Sequence, residues 1–446
     1  MIGIISSSVF PSDGGWKDLN KILKNIKPPK FANRNYLITS FGAIANGNSD
    51  CTNAIRDAIN KCSKEGGGKV IVPEGTFLTG SIHLKSGVNL VISKGAVVKF
   101  SSDPSKYLPV VYTRFEGVEC MNYSPLIYAY EQKNIAITGE GILDGQGSKE
   151  TWWKWKASSG EFSQKIARDK LVEMGENNIP VKERVFGDGS FLRPVFFQPY
   201  KCSNILVEGV TFKNSSMWFL NPVLCKNVTF NKVATDGIGP NNDGCDPESC
   251  TDVLIRGCSF NNGDDCIAIK SGRNNDGRRV NVPCQNIVIQ NCTMKDGHGG
   301  VVIGSEVSGN VRNVYAENCV MSSPNLERAL RFKTNSERGG VIENVYARSI
   351  EVGEVKEAVI LIDYYYDKGD IGKFTPVMRN FYFNNITSKK SPYAINMKAY
   401  DRSPVKNLQI ENCSFENVKN QNVIENIEIT KCKSVTVNGN LMEIKK

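Results

Sequence analysis

The stretch NNGDDCIAIKSG, residues 261–272, sets Asp264 and Asp265 side by side just before a segment with strand alternation. In that segment Ile267 and Ile269 share one face and Ala268 and Lys270 the other. Adjacent like charges repel, and on a flat strand they point to opposite faces. At a corner, where alternation is suspended, both reach one groove. Elsewhere lie Asp243 in NNDG (241–244), a histidine between glycines, His298 in GHG (297–299), and Arg331 and Lys333 in RFK (331–333). Crowded carboxylates push at least one pKa upward. One can then stay protonated as an acid while another stays ionised as a base. Glycoside hydrolysis needs such a pair, and neighbouring cations suit a substrate that carries carboxylates of its own. An Asp-Asp dipeptide alone is more often a solvated turn, so the reading depends on whether the chain brings these residues together.

A repeat supplies the means. CSNILVEGVTF is echoed by CKNVTFNKVAT, CTDVLIRGCSF, CQNIVIQNCTM, VRNVYAENCVM, IENVYARSIEV, MRNFYFNNITS and VKNLQIENCSF. Aligned on Asn204, Asn227, Asp252, Asn286, Asn313, Asn344, Asn380 and Asn407, the position six residues on is Val210, Val233, Cys258, Cys292, Cys319, Ile350, Ile386 and Cys413. The spacing of 23 to 36 residues between markers is that of a solenoid. Short alternating strands separated by Asn, Gly and Asp turns, with no room for long helices, predict an all-β parallel β-helix with coils about 4.8 Å apart. The ladder cysteines then read as small core hydrophobes and not as disulfides. GGGKVIVPEGTFLTG, SGVNLVISKGAVVKF and KNIAITGEGILDG fit the same scheme. DCTNAIRDAINKCSKEG, with Ala54, Ile55, Ala58 and Ile59 at helical spacing, predicts a helix capping the open end. The chain is expected to divide into an N-terminal extension (1–35) and a solenoid (36–446). A long insertion, about 150–200, holds WWKWK and the helix-compatible run SQKIARDKLVEMG.

Stacking neighbouring coils on Ser249, Ser271, Ser305 and Thr334 gives two outward columns. One holds Asp246, Ala268, Val302 and Arg331; the other holds Glu248, Lys270, Gly304 and Lys333. At the preceding corner Asp243 falls on Asp265, with Asn242, Asp264 and His298 beside them. Three carboxylates thus converge, with the bases on the coils that follow. Gly297, Gly299 and Gly300 suggest close approach of a ligand to the backbone. Asn241, Asp246, Glu248 and Lys270 join Arg331 and Lys333 as candidate substrate-binding residues.

Composition narrows the partners. The formal charge of +9 suits a polyanion, and no Lys/Arg block interleaved with aromatics points to nucleic acid. No run of about 18 apolar residues predicts a membrane span. With two histidines and no CxxC pair, no metal or cofactor is expected. The start MIGIISSSVF lacks a basic leader, so the protein is expected either to be cytoplasmic or to have lost its signal.

At these residues the chain resembles the polygalacturonase family of glycoside hydrolases. Its four motifs stand here in order as NNDG, GDD (263–265), GHG and RFK, with Asn242 where threonine is usual. The likeness extends through FGAIANGNSDCTNAI, LTGSIHLKSGVNL, GEGILDGQG and GPNNDGCDPESC. The resemblance implies a right-handed parallel β-helix that hydrolyses α-1,4 links between galacturonic acid units with inversion. It implies Asp264 as general acid, Asp243 and Asp265 as activators of water, and His298 as a proton relay. An inverting pair is expected about 6.5–9.5 Å apart. Arg331 and Lys333 would bind the sugar carboxylate, with Tyr366 of LIDYYYDKG beside them in preference to Tyr364 and Tyr365. GHGGVVIGSE, the insertion and YLPVVYTRFEGVECMNYSP look most like the exo-acting bacterial branch. The groove wall that exo action needs is expected from Trp152, Trp153 and Trp155 with Arg184 and Arg193, unless those tryptophans are core.

The same residues also fit a rhamnogalacturonan or xylogalacturonan hydrolase, a calcium-dependent pectate lyase, or a non-catalytic carbohydrate-binding solenoid. Oligomeric state stays open. A pectic polymer cannot cross a membrane, which favours a secreted or periplasmic place of action; unpaired cysteines fit a cytoplasmic one trimming imported oligomers.

Overall fold

The computed structural model describes residues 15–443, so the start MIGIISSSVF lies outside the described residues. Successive coils pair in parallel, and the register carries an inward ladder from coil to coil. Val228 pairs with Val253, then Ile287, Val314, Val345, Phe381 and Leu408 follow in turn. All seven are buried. This is a parallel β-helix.

The marker asparagines owe their recurrence to the turn. All eight marker residues take φ between 55° and 61°. That left-handed region costs most L-residues about 1–2 kcal/mol, and Asn and Asp tolerate it best. The amides also ladder: Asn313 Nδ2 donates to Asn286 Oδ1, Asn344 to Asn313, Asn380 to Asn344 and Asn407 to Asn380, each at 3.0 Å. Each coil therefore satisfies the polar turn of the next. The residues six positions on are buried as expected, and all fourteen cysteines are free.

The capping helix spans Thr52–Lys64 and buries Ala54, Ile55, Ala58, Ile59 and Cys62. A helix ahead of it, Lys17–Asn25, lies on the outside of the coils. Its Leu19 and Ile22, with Ile26, cover Leu254, Val288 and the stacked rings of Tyr315, Tyr346 and Tyr382. Among the described residues no helix is long and apolar enough to cross a membrane.

A second sheet passes Ile267, Val301, Leu330, Ile360 and Ile395 in register. Its outer face is not left to solvent where the insertion lies. An antiparallel hairpin, Val111–Phe115 with Val118–Asn122, turns through Glu116 (φ 43°) and Gly117 (φ 84°). Two positive φ values in succession are what the tight hairpin turn requires, and glycine supplies the second without strain. The insertion contributes a short turn of helix at Trp152–Lys156 and a helix at Lys165–Glu176. Together they form a second apolar core over the sheet, including Phe115, Val118, Cys120, Leu171, Met217 and Trp218. Trp152 and Trp155 are buried and pack edge-to-face at 4.9 Å, within the main core. The insertion's tryptophans are therefore packing, and the wall expected from them is corrected below.

Candidate active site

Both predicted columns exist. Ala268 pairs with Val302 and Val302 with Arg331, while Glu248 pairs with Lys270. At the corner, Gly244 N donates to Asp265 O and His298 N to Asp264 O, at 3.0 and 3.1 Å. These bonds stack Asp243 on Asp265 and Asp264 on His298. One oxygen from each of Asp243, Asp264 and Asp265 lies within 4.8 Å of the others.

The three carboxyls have different neighbours. Lys333 Nζ donates to Asp265 Oδ2 at 2.7 Å and Arg331 Nη1 to Oδ1 at 3.2 Å. Burial works to raise the Asp265 pKa, but Lys333 and Arg331 outweigh it and hold the carboxyl well below the ordinary range. Asp243 goes the other way. Burial, then the charges of Asp246 and Asp264, push it well above the ordinary range. Lys270, with Nζ 3.9 Å from Asp243 Oδ2, opposes that shift. Asp264 faces the His298 ring, whose Nδ1 is 2.8 Å from Oδ1; this contact raises the His298 pKa against the effect of burial. The site thus holds an ionised carboxylate, a carboxyl driven towards its neutral form, and a carboxyl coupled to an imidazole.

Support reaches in from several elements. Asn241 Nδ2 approaches Asp264 Oδ2 at 3.4 Å, and Arg193 Nη2 donates to Asn241 Oδ1 at 2.8 Å. The fully buried Arg193 also donates to Ser216 O and Pro240 O. Burial lowers its pKa to about 10. Asn242 is buried, donating to Ser215 O and Met217 O, which braces the corner. Tyr366 sets its ring 4.9 Å from Lys333 Nζ and 5.5 Å from the Arg331 guanidinium carbon. Tyr364 is buried and Tyr365 packs on Tyr400, so Tyr366 is the tyrosine brought to the site.

A cavity of about 210 Å³ opens over the acids. Its lining includes Asn241, Asp243, Asp264, Asp265, Lys270, Lys333 and Tyr366. Asp246 and Glu248 do not reach it: both are 0 % exposed. Their expected substrate contact is corrected, because the hairpin covers that part of the sheet and Arg114 pairs with Glu248 at 3.3 Å. The glycines around His298 are corrected too. A Cβ on Gly297 would lie 2.5 Å from Asp264 O, and one on Gly299 2.5 Å from Val302 Cγ2. The space is taken by the preceding coil at Gly297 and by Val302 of the same coil at Gly299, so these glycines serve packing within the protein and not ligand approach.

The wall residues also differ from expectation. Arg184 is buried against Asp276 at 2.7 Å, and Arg193 braces Asn241. The cavity is instead lined on the insertion side by Lys156 and Arg168, with Glu116 of the hairpin tip and Arg273, Glu306 and Arg338. Glu116 bridges Arg168 at 2.6 Å and Arg273 at 3.3 Å, tying insertion, hairpin and coil together. No sequence motif marks these residues. The one signal was the Glu-Gly turn within the alternating run VVYTRFEGVECM, a hairpin signature.

The three carboxylates are also the cluster of metal-ligand type found among the described residues. Lys270, Lys333 and Arg331 already place positive charge against them, and that charge opposes a dication in the same space. Their nearest oxygens are closer than the expected 6.5–9.5 Å. A gap below 4.8 Å still admits one water that donates to Asp243 and Asp265 together, since each such bond spans about 2.7 Å.

Comparison with known proteins gives the family. The family model described as glycosyl hydrolases family 28 matches residues 188–435, which contain all four motifs. A probable polygalacturonase of Vitis vinifera is 28% identical over 85% of this chain and 73% of its own length. An exo-poly-alpha-D-galacturonosidase of Dickeya chrysanthemi is 27% identical over 79% of this chain and 61% of its own. The crystal structure of a hyperthermoactive exopolygalacturonase from Thermotoga maritima superposes with a TM-score of 0.93 at 44% identity, covering 96% of each chain. The chain belongs to glycosyl hydrolases family 28.

Proposed function

We propose that this enzyme hydrolyses α-1,4 galacturonosyl linkages of polygalacturonate from a chain end, with inversion. The observation that carries the reading is the set of three carboxyls with three different partners, in a cavity lined by cations. Asp264, coupled to His298, protonates the leaving oxygen. Asp265, held ionised by Arg331 and Lys333, takes the proton of the attacking water, and Asp243, whose ionised form Lys270 favours, orients that water with it. Arg331 and Lys333 each keep donors beyond those spent on Asp265, and these take the sugar carboxylate beside Tyr366. Asn241 positions Asp264. The insertion and hairpin crowding one side of the cavity support action at chain ends, as do the exo-acting relatives. Residues 36–446 act as the catalytic unit, and the substrate's size places the work in a secreted or periplasmic setting.

The test is incubation with polygalacturonic acid in the presence of a chelator, following saturated products by chromatography and near-ultraviolet absorbance. Galacturonate with no new absorbance is the expected result. An absorbing, unsaturated product would mean elimination, and no product would leave a binding protein or a different pectic backbone.

A further inference from the structure

Polygalacturonate brings a carboxylate on every sugar, so two flank any scissile bond. Arg331 and Lys333 account for one receptor. The other side of the cavity carries a cation with no assigned work: Lys156, at the end of the insertion's Trp152–Lys156 turn, lines the same space as the three aspartates. Among the described residues its ammonium makes no ion pair or hydrogen bond, whereas its neighbours are engaged. Arg168 is held by Glu116, and Arg193 donates to Gln164, Ser216, Pro240 and Asn241. Lys270 is held by Glu306 and Asp243. Three cations, Lys156, Arg168 and Arg193, therefore gather on the insertion side of the site, with Glu116 bonded to just one of them. Partial desolvation beside the insertion and the charges of Arg193 and Arg168 disfavour the Lys156 ammonium, although the residue keeps solvent access, and Glu116 and Asp264 favour it. A free ammonium in a partly enclosed site among like charges is satisfied by an anion that enters with the substrate.

We propose that Lys156, steered by the Glu116-held Arg168, is the receptor for the carboxylate of the galacturonate on the far side of the scissile bond from Arg331 and Lys333. The inference rests on the function proposed above and assigns the second carboxylate of that substrate. It makes the insertion a selector of charge as well as of shape: a terminal galacturonate is accepted and its methyl ester is refused. Because Lys156 contacts the ground state and the transition state alike, it contributes to KM more than to kcat.

The experiment compares wild type, Lys156→Gln and Lys156→Arg on trigalacturonate and on trigalacturonate methyl-esterified at its terminal sugars. The Lys156 side chain is exposed, so the variants are expected to fold, and circular dichroism melts check this. Lys156→Gln is expected to raise KM for trigalacturonate about tenfold with kcat within about twofold, and Lys156→Arg to restore most of it. On the ester, wild type and Lys156→Gln should match, since the partner charge is already gone. An unchanged KM in Lys156→Gln, with wild type active, overturns the assignment and leaves the hydrolase intact. A wild type that releases no galacturonate overturns both.

Discussion

Lys270 Nζ lies 3.9 Å from Asp243 Oδ2 and is the cation in contact with that carboxyl, whereas Asp265 one coil away is held by two cations. Lys270 is itself fixed by Glu306 at 3.3 Å and by the Trp218 ring at 4.7 Å, and is further surrounded by the charges of Asp246, Asp265 and Glu248. It favours the ionised form of Asp243, which in the proposed mechanism makes it a positioning residue for water activation. Lys270→Met is expected to move the acidic limb of the kcat/KM profile upward by roughly one pH unit, and Lys270→Arg to leave it near wild type. A pH–rate profile checks this; a uniform drop with an unmoved limb would indicate damage to packing alone.

Asp243 carries the stability cost of the site. Its folded pKa is raised, so the folded state binds the proton more tightly than the unfolded chain does, and stability falls as pH rises from the unfolded carboxyl value towards the folded one. Asp243→Asn removes that penalty. It is expected to stabilise the protein at neutral pH by about 1 kcal/mol or more while abolishing turnover. Melting curves from acid to neutral pH check the sign: the variant's gain should grow with pH across that window.

The stereochemical outcome separates two readings of the close carboxyls. In the proposed mechanism a water held between Asp243 and Asp265 attacks opposite the leaving oxygen, so an α-linked substrate is expected to release β-galacturonate first. Proton NMR of the first product, before mutarotation, checks this. Initial α-product would mean a covalent intermediate on one aspartate, the arrangement associated with carboxyls about 5–5.5 Å apart.

Much of this was legible because the coil repeats. The marker Asn204, Asn227 and their successors recur since each must adopt a left-handed turn and bond its neighbour, and aligning them places Asp243 over Asp265 and Ala268 over Val302 and Arg331. Tyr366 was reachable by counting one coil beyond Lys333. What lay outside the repeat was not legible. Glu248 looks outward in the register, yet Arg114 from a hairpin more than a hundred residues earlier covers and neutralises it. Lys156 and Arg168 carry no motif, and their place is set by how the insertion packs Leu171 against Phe115, Val118 and Trp218. The glycines of GHG suggest ligand approach, but the atoms that come close to Gly297 and Gly299 belong to Asp264 and Val302 of the protein.

We propose hydrolysis from one chain end by the Asp243, Asp264 and Asp265 cluster. Its most direct test is chromatography of the earliest products from reducing-end-labelled oligogalacturonate, with chelator present, for wild type and Asp264→Asn. Galacturonate monomer and a single shortened chain are expected from the first time point, with a loss of about a thousandfold in the variant. A ladder of saturated oligomers from the outset would contradict action at the end, and an active Asp264→Asn would contradict the assignment of the acid.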